Sequence, residues 1–355
     1  MCVVDSLDDG AVAASAPRVL AGDAVDPIRL EPVDEVVVTT LMDNSYDGLL
    51  PDMGPARRFG LIRSPVVPST VMSGGGTKAG LMAEHGFSAL VTTRQGGREH
   101  TVLFDTGISP RGAAENLHRL GLDHSAIEAI VLSHGHFDHA GGLEGFARLP
   151  GPGRPLVLHP LVWTRRRLAV PGMPELELPT LSKAALEADG FEVIERRQRS
   201  LLLDGSVLIT GEVDRTTDFE AGMPFHERLA GDSWEPDPLI LDDQALVVHV
   251  RDQGLVVITG CGHAGAVNIA RYAMRLTGVS RLHGMLGGFH LGGPAFEPII
   301  DPTVAALSSM DPSLIVPGHC TGWKAQHRFA AALPEAFVPN AVGTQYVLGQ
   351  ASAAA

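Results

Sequence analysis

The chain has 355 residues, 45% of them hydrophobic and 19% charged, which supplies enough apolar material for a large core and excludes a disordered or fibrous chain. Lysine and arginine number 27 against 41 aspartate and glutamate, and the net charge of −14 excludes broad attraction to nucleic acid while leaving room for a local basic pocket. Three cysteines, Cys2, Cys261 and Cys320, are too few for a disulfide framework and fit a reducing compartment.

Residues 1–33 show no sustained period and are expected to form a flexible leader, with residues 34–355 as one domain. Met1 to Gly10 holds three aspartates and no lysine or arginine, unlike a secretory signal. No run of apolar residues is long enough for a membrane span, so a cytoplasmic location is expected. The β-branched run Val36 to Thr40 predicts a buried strand ending at the turn-prone Asp43, Asn44 and Ser45. Ser73 to Lys78 is rich in glycine but lacks the spacing of a phosphate loop, and reads as a flexible loop at a pocket rim. Ser88 to Thr93 and Thr101 to Phe104 flank the turn Gln95, Gly96, Gly97 and predict a hairpin closing on Asp105. Ser109 and Pro110 predict a helix start, with Ala113, Leu117 and Leu120 on one face and Gly121 as the stop. The segment 160–238 is irregular, rich in Pro, Arg and Glu, and reads as an insertion or cap over one end of the core. Ala245 to Val250 and Leu255 to Thr259 predict a second hairpin, closing on Gly260, Cys261 and Gly262. Further helices are predicted from about Ala264 to Thr277 and from Asp301 through Ser308. Strands alternating with helices argue for an α/β layered domain.

The run Ile130 to Gly142 carries the most chemistry. Apolar Ile130, Val131 and Leu132 lead into Ser133, His134, Gly135, His136, Phe137, Asp138 and His139, so four potential metal ligands fall within six residues. In extended backbone alternate side chains share a face, so His134 and His136 can converge on one ion. If the chain then turns into a helix, Asp138 and His139 project from its first turn, a geometry that serves two adjacent metals. Gly135 is expected to leave room for a tight turn. Three further histidines end apolar runs: His263 after Leu255 to Thr259, His290 after Met285 to Phe289, and His319 after Leu314 to Val316. Arg165, Arg166 and Arg167 suit the holding of a phosphate or carboxylate, although solvated surface charge is the plainer reading. The polar stretch Asp214 to Glu220 receives no role.

The spacing of His134, His136, Asp138 and His139 resembles the signature of the metallo-β-lactamase superfamily, and the likeness extends from Glu35 to Gly343. It implies an αββα four-layer sandwich, with two mixed β-sheets face to face between helices and metals at one edge. The segments Glu84 to Ser88, Thr259 to Gly265, Leu286 to Leu291 and Pro317 to Gly322 are similar to the group that includes the dihydropterin ribofuranosyl-aminobenzene phosphate synthases. The resemblance implies two divalent metal ions held by His134, His136, Asp138, His139, His263 and His319, with Asp105 supporting the ligands from behind. Zinc is the first choice for such imidazole and carboxylate ligands, and iron or manganese also suit them. One departure stands out: the superfamily usually places a bridging aspartate between its third and last motifs, and neither Gly260-Cys261-Gly262-His263 nor Gly287-Gly288-Phe289-His290 supplies it. His290 can replace it as a ligand, act as a general acid, or pack against the sheet. Cys261 and Cys320 are soft ligand types, but small buried neighbours is their expected role.

The function so implied is metal-dependent hydrolysis of a small anionic substrate, a phosphoester, lactone or related ester. Asp138 would orient the nucleophile and His290 protonate the leaving group. Two alternatives are a pterin or phosphoribosyl transferase, and a non-hydrolytic iron, redox or ligand-binding protein on the same fold. The expected partner is a small molecule, with no nucleic acid or membrane, and the oligomeric state is not legible.

Overall fold

The computed structural model describes residues 27–151 and 153–349. The first part of the chain runs β1 (Glu35–Met42), β2 (Ala56–Arg57), a ribbon of β3 (Val66–Pro68) and β4 (Gly76–Lys78), β5 (Ser88–Gln95), β6 (Arg98–Phe104), α1 (Gly112–Arg119), β7 (Ile127–Val131), α2 (Phe137–Ala140), α3 (Leu143–Ala147) and β8 (Pro155–Leu158). The middle runs β9 (Arg166–Leu168), β10 (Leu176–Glu177), α4 (Lys183–Ala188), β11 (Glu192–Glu195), β12 (Ser200–Leu202), β13 (Val207–Ile209), β14 (His226–Ala230) and β15 (Ser233–Pro236). The last part runs β16 (Ala245–Val250), β17 (Gly254–Thr259), α5 (Ala266–Thr277), β18 (Leu282–Gly288), α6 (Glu297–Ser308), β19 (Leu314–Gly318), α7 (Trp323–Ala332) and β20 (Gln345–Gly349).

Eight strands form one sheet in the order β11-β8-β7-β6-β5-β1-β20-β2, and six form a second in the order β12-β13-β16-β17-β18-β19. Side chains alternate between the faces of each strand, and this alternation builds the layers. Val36, Val91, Val102 and Phe104 of the first sheet meet Leu246, Val248, Val256 and Ile258 of the second in a core between the sheets. The outer face of the first sheet, through Leu90, Leu103 and Ile130, packs under Leu117 of α1, Phe146 of α3 and Leu186 of α4. The outer face of the second, through Val247, Leu255 and Val257, packs under Ala270 of α5, Val304 of α6 and Phe329 of α7. Each such side chain, fully buried, stabilises by about 1.5–3 kcal/mol. The architecture is the αββα sandwich that the signature implies.

Strand register sets where the chemistry sits. β6 and β7 are parallel with Phe104 opposite Val131, while β17, β18 and β19 are parallel with Thr259 opposite Gly287 and Gly288 opposite Gly318. The loops leaving these five strands therefore emerge side by side at one edge of the sandwich.

Several sequence expectations need adjustment. The segment 160–238 is not irregular throughout: β9, β10, β14 and β15 form a separate four-stranded sheet, while β11 extends the first sheet and β12 and β13 extend the second. Residues 27–33 are not loose, because Leu30 and Val33 are buried and Val33 bridges Val250; the remainder of the expected leader, with Cys2, lies outside the described residues. The expected flexible loop Ser73 to Lys78 ends in β4, which pairs with β3. Helix α1 starts at Gly112, because Ser109 is engaged through its backbone N–H and hydroxyl with Glu84. Helix α6 starts a turn before Asp301 and carries Pro302 inside it. Helix α5 ends as predicted, with Gly278 in the left-handed conformation at φ 69°. No helix among the described residues is long and apolar enough to cross a membrane.

Candidate metal centre

The loop after β7 bends through Ser133, His134 and Gly135, and His136, on extended backbone, immediately precedes the short helix α2 whose first turn carries Asp138 and His139. A Cβ on Gly135 would lie 2.7 Å from both the Cα and the carbonyl oxygen of Val162, so the glycine, within the bend at 133–135, permits a close backbone approach. The Gly135 N–H donates to Asp242 Oδ2 at 2.9 Å, pinning the loop from below.

Two clusters of ligand atoms result. His134 Nε2 lies 2.9 Å from His136 Nδ1 and 3.1 Å from His263 Nε2, and the three side chains offer ligand atoms within 4.8 Å of one another. Asp138, His139, Cys261 and His319 form a second group by the same measure, with Asp138 Oδ2 3.3 Å from His319 Nε2 and 3.6 Å from His139 Nε2. The rings of His134 and His139 are 4.3 Å apart, so the two groups adjoin. Asp105, His290 and His319, each following a parallel strand, hold left-handed φ values of 59°, 42° and 47°. Such backbone costs about 1–2 kcal/mol per non-glycine residue, so the packed loops must hold it in place.

Hydrogen bonding fixes which nitrogen each ring presents. The Asp105 carboxylate only accepts, so the Ser133 hydroxyl, 2.7 Å away, must donate to it. Ser133 Oγ then accepts from His134 Nδ1 at 2.9 Å, which leaves the lone pair of His134 on Nε2, facing its cluster. Asp105 Oδ2 likewise lies 2.7 Å from His139 Nδ1 and directs His139 Nε2 toward the second cluster. Such outer partners orient ligand imidazoles and raise their basicity. Gly260 permits this closeness, since a Cβ there would lie 2.1 Å from Ser133 Oγ and 2.6 Å from Asp105 Oδ2.

Burial drives the imidazoles of His134, His136 and His263 well below their ordinary pKa, so they are neutral donors of lone pairs. Burial would also raise the Asp138 carboxyl, but His139 and His319 hold it well below the usual carboxylate range. His139 shows the reciprocal effect: against burial, Asp138 and Asp105 push it up to about 9, a proton that an incoming cation would displace. Burial raises the Cys261 thiol, leaving it neutral in the metal-free chain. His136 Nε2, His263 Nδ1 and both ring nitrogens of His319 are buried without a hydrogen-bond partner. Three neutral imidazoles whose His134 Nε2, His136 Nδ1 and His263 Nε2 face one another make a poor internal hydrogen-bond network and fit a divalent cation.

The other sequence candidates fall in different places. His290 is half-buried, its ring 4.5 Å from that of His263 and 4.8 Å from that of Phe296. It lines a small cleft of about 20 Å³ with His263, Glu220, Met223, Phe289 and Phe296. Arg165, Arg166 and Arg167 are each committed to carboxylates of the chain: Arg165 to Glu177, Arg166 to Asp237 and Asp242, and Arg167 to Glu175 and Glu227. None of the three is an unpaired anion contact, and buried Arg166 instead steadies the Asp242 that holds Gly135. Glu220, in the stretch left without a role, accepts from the backbone N–H groups of Val267 and Asn268 and so satisfies the open start of α5.

Four contributors escape sequence reasoning as site residues. His226 of β14 stacks 4.9 Å from His136, and burial together with the Arg166 charge lowers its pKa to about 4. His85 Nε2 lies 3.8 Å from Asp138 Oδ2, and its ring is 4.9 Å from that of His319. Asp43 accepts from the His319 N–H at 2.8 Å, and Asp243 accepts from the Ala264 N–H at 2.9 Å. Asp43 ends the first predicted strand and His85 lies in a segment noted for its likeness, but no local pattern singles out His226 or Asp243.

Comparison with known proteins identifies the family and the fold. A family model described as the metallo-beta-lactamase superfamily matches residues 83–272. A 7,8-dihydropterin-6-methyl-4-(beta-D-ribofuranosyl)-aminobenzene-5'-phosphate synthase of Methanocaldococcus jannaschii is 29% identical over 264 residues, 72% of this chain and 87% of the relative. An uncharacterised protein of the same organism is 31% identical over 253 residues, 68% of this chain and 86% of the relative. Among solved structures, one described as a metal-dependent hydrolase of the beta-lactamase superfamily shares the fold with a TM-score of 0.67 at 22% identity, covering 89% of this chain and 100% of its own.

Proposed function

The chain belongs to the metallo-β-lactamase superfamily, and we propose that within it the protein is a metal-dependent hydrolase of a small anionic phosphoester, lactone or related ester. The observation that carries this reading is the pair of adjoining clusters, His134 with His136 and His263, and Asp138 with His139 and His319. Divalent ions bound there, zinc first by the donor set and iron or manganese next, would lower the pKa of water toward neutrality and polarise an acyl or phosphoryl oxygen.

The chain's own groups have separable tasks. Asp138, kept ionised by His139 and His319, accepts a proton or hydrogen bond from the nucleophile and so orients it. His290, half-exposed at the pocket beside His263, donates the proton to the leaving group. Because the nearby arginines are paired internally, the negative charge of the substrate is met at the metal centre. A second reading, group transfer to an aromatic or pterin-like acceptor, draws support from the likeness to the synthase.

The test is turnover of a panel of phosphoesters, lactones and thioesters by the full chain, metal-loaded and after chelation. Hydrolysis only in the loaded state is expected, and His290→Gln should lower kcat by about 10²–10⁴-fold with metal content unchanged. A condensation product formed without net hydrolysis would favour the transfer reading, and turnover that survives chelation would overturn both.

A further inference from the structure

The bridging aspartate usual in the superfamily is missing from both loops that might carry it, so something else must lie between the clusters. Cys261 follows β17, two residues before His263, and is 3% exposed. Its Sγ lies 3.1 Å from His139 Nε2, the ring nitrogen turned away from Asp105. The same Sγ falls within 4.8 Å of the ligand atoms of Asp138, His139 and His319, and also groups with His263 and His290. Cys261 is thus the member of the second cluster whose donor atom also reaches a ligand of the first.

The loop is shaped to deliver that sulfur. Gly260 lets the backbone press against Ser133 and Asp105, and Gly262 turns at φ 72°, where a Cβ would lie 2.8 Å from the Gly288 carbonyl oxygen. Cys320 belongs to none of these ligand groups among the described residues, and its Sγ lies 3.3 Å from the Cys261 carbonyl oxygen. Both cysteines are free thiols.

We propose that the Cys261 thiolate is a ligand of the second metal and joins the two sites where the bridging carboxylate is absent. This inference rests on the metal-dependent reading of the centre and contradicts the expected role of Cys261 as a mere buried neighbour. The thiol loses its proton to solvent as the cation enters, and the S–metal bond replaces the S–H bond. A soft donor biases the second site toward zinc, iron or cobalt and away from magnesium or manganese.

Cobalt(II) loading of the full chain tests this directly, because a thiolate ligand gives an intense sulfur-to-cobalt charge-transfer band in the near ultraviolet. The band is expected in the wild type and in the double variant Cys2→Ala, Cys320→Ala, in which Cys261 is the sole thiol. It should vanish in Cys261→Asp, which restores a carboxylate and should retain both cobalt ions. Two cobalt ions bound with no band, or a band lost in the Cys2, Cys320 double variant, would overturn the thiolate while leaving the metallo-hydrolase reading standing. A wild type that takes up no cobalt would overturn both.

Discussion

Asp105 Oδ2 lies 2.7 Å from His139 Nδ1, and the same oxygen accepts from the Ser133 hydroxyl that orients His134. One carboxylate therefore sets the ring nitrogens presented to both clusters. Asp105→Asn cannot accept at every one of these positions, since one side of its amide is a donor. Its affinity for zinc, measured by competition with a chelator, should fall about 10–100-fold. Unchanged affinity would remove Asp105 from the support of the site.

The ion pair of Arg166 with Asp242 is almost wholly buried, whereas that of Arg165 with Glu177 is about half exposed on each side. Removing one partner of a buried pair strands the other. Arg166→Met should lower the unfolding free energy by about 3–5 kcal/mol in urea titration. Arg165→Met should change it by no more than about 1 kcal/mol. Equal small effects would show that Arg166 does not steady the loop through Asp242 and Gly135.

His226 has a folded-state pKa of about 4, against about 6.5 for an unfolded chain. Between those values the unfolded chain binds a proton that the folded chain refuses, so this group's contribution falls as pH drops from about 6.5 and levels off below about 4. In chelated protein the loss is up to about 3 kcal/mol. His139 acts with the opposite sign and is unaltered by a change at His226. His226→Gln should therefore lose less stability than the wild type between about pH 7 and pH 5 in paired urea titrations. Parallel losses would exclude His226 as a source of acid sensitivity.

What the sequence disclosed was local. The four ligand types of His134, His136, Asp138 and His139 fall within six residues, although a bend at 133–135 rather than strand alternation brings His134 and His136 together, and Asp138 and His139 sit in the first turn of α2. Helix α5 was legible because its apolar period and Gly278 stop belong to one segment. What escaped depends on pairing across long separations. Asp237 and Asp242 lie 71 and 76 residues from Arg166, and His226 reaches the site because β14 pairs with β9. The need for glycine at 135 comes from Val162, and only the tertiary structure brings them together. The short strands β11, β12 and β13, at the margins of the two sheets, carry too few alternating residues to stand out from an irregular insertion.

Elemental mass spectrometry of the purified, zinc-loaded full chain, beside the double variant His134→Ala, His136→Ala, addresses the metal centre most directly. Close to two ions per wild-type chain are expected, with about one ion and the hydrolytic activity lost together in the variant. No bound metal in the wild type, or full occupancy retained without His134 and His136, would contradict the assignment of the centre.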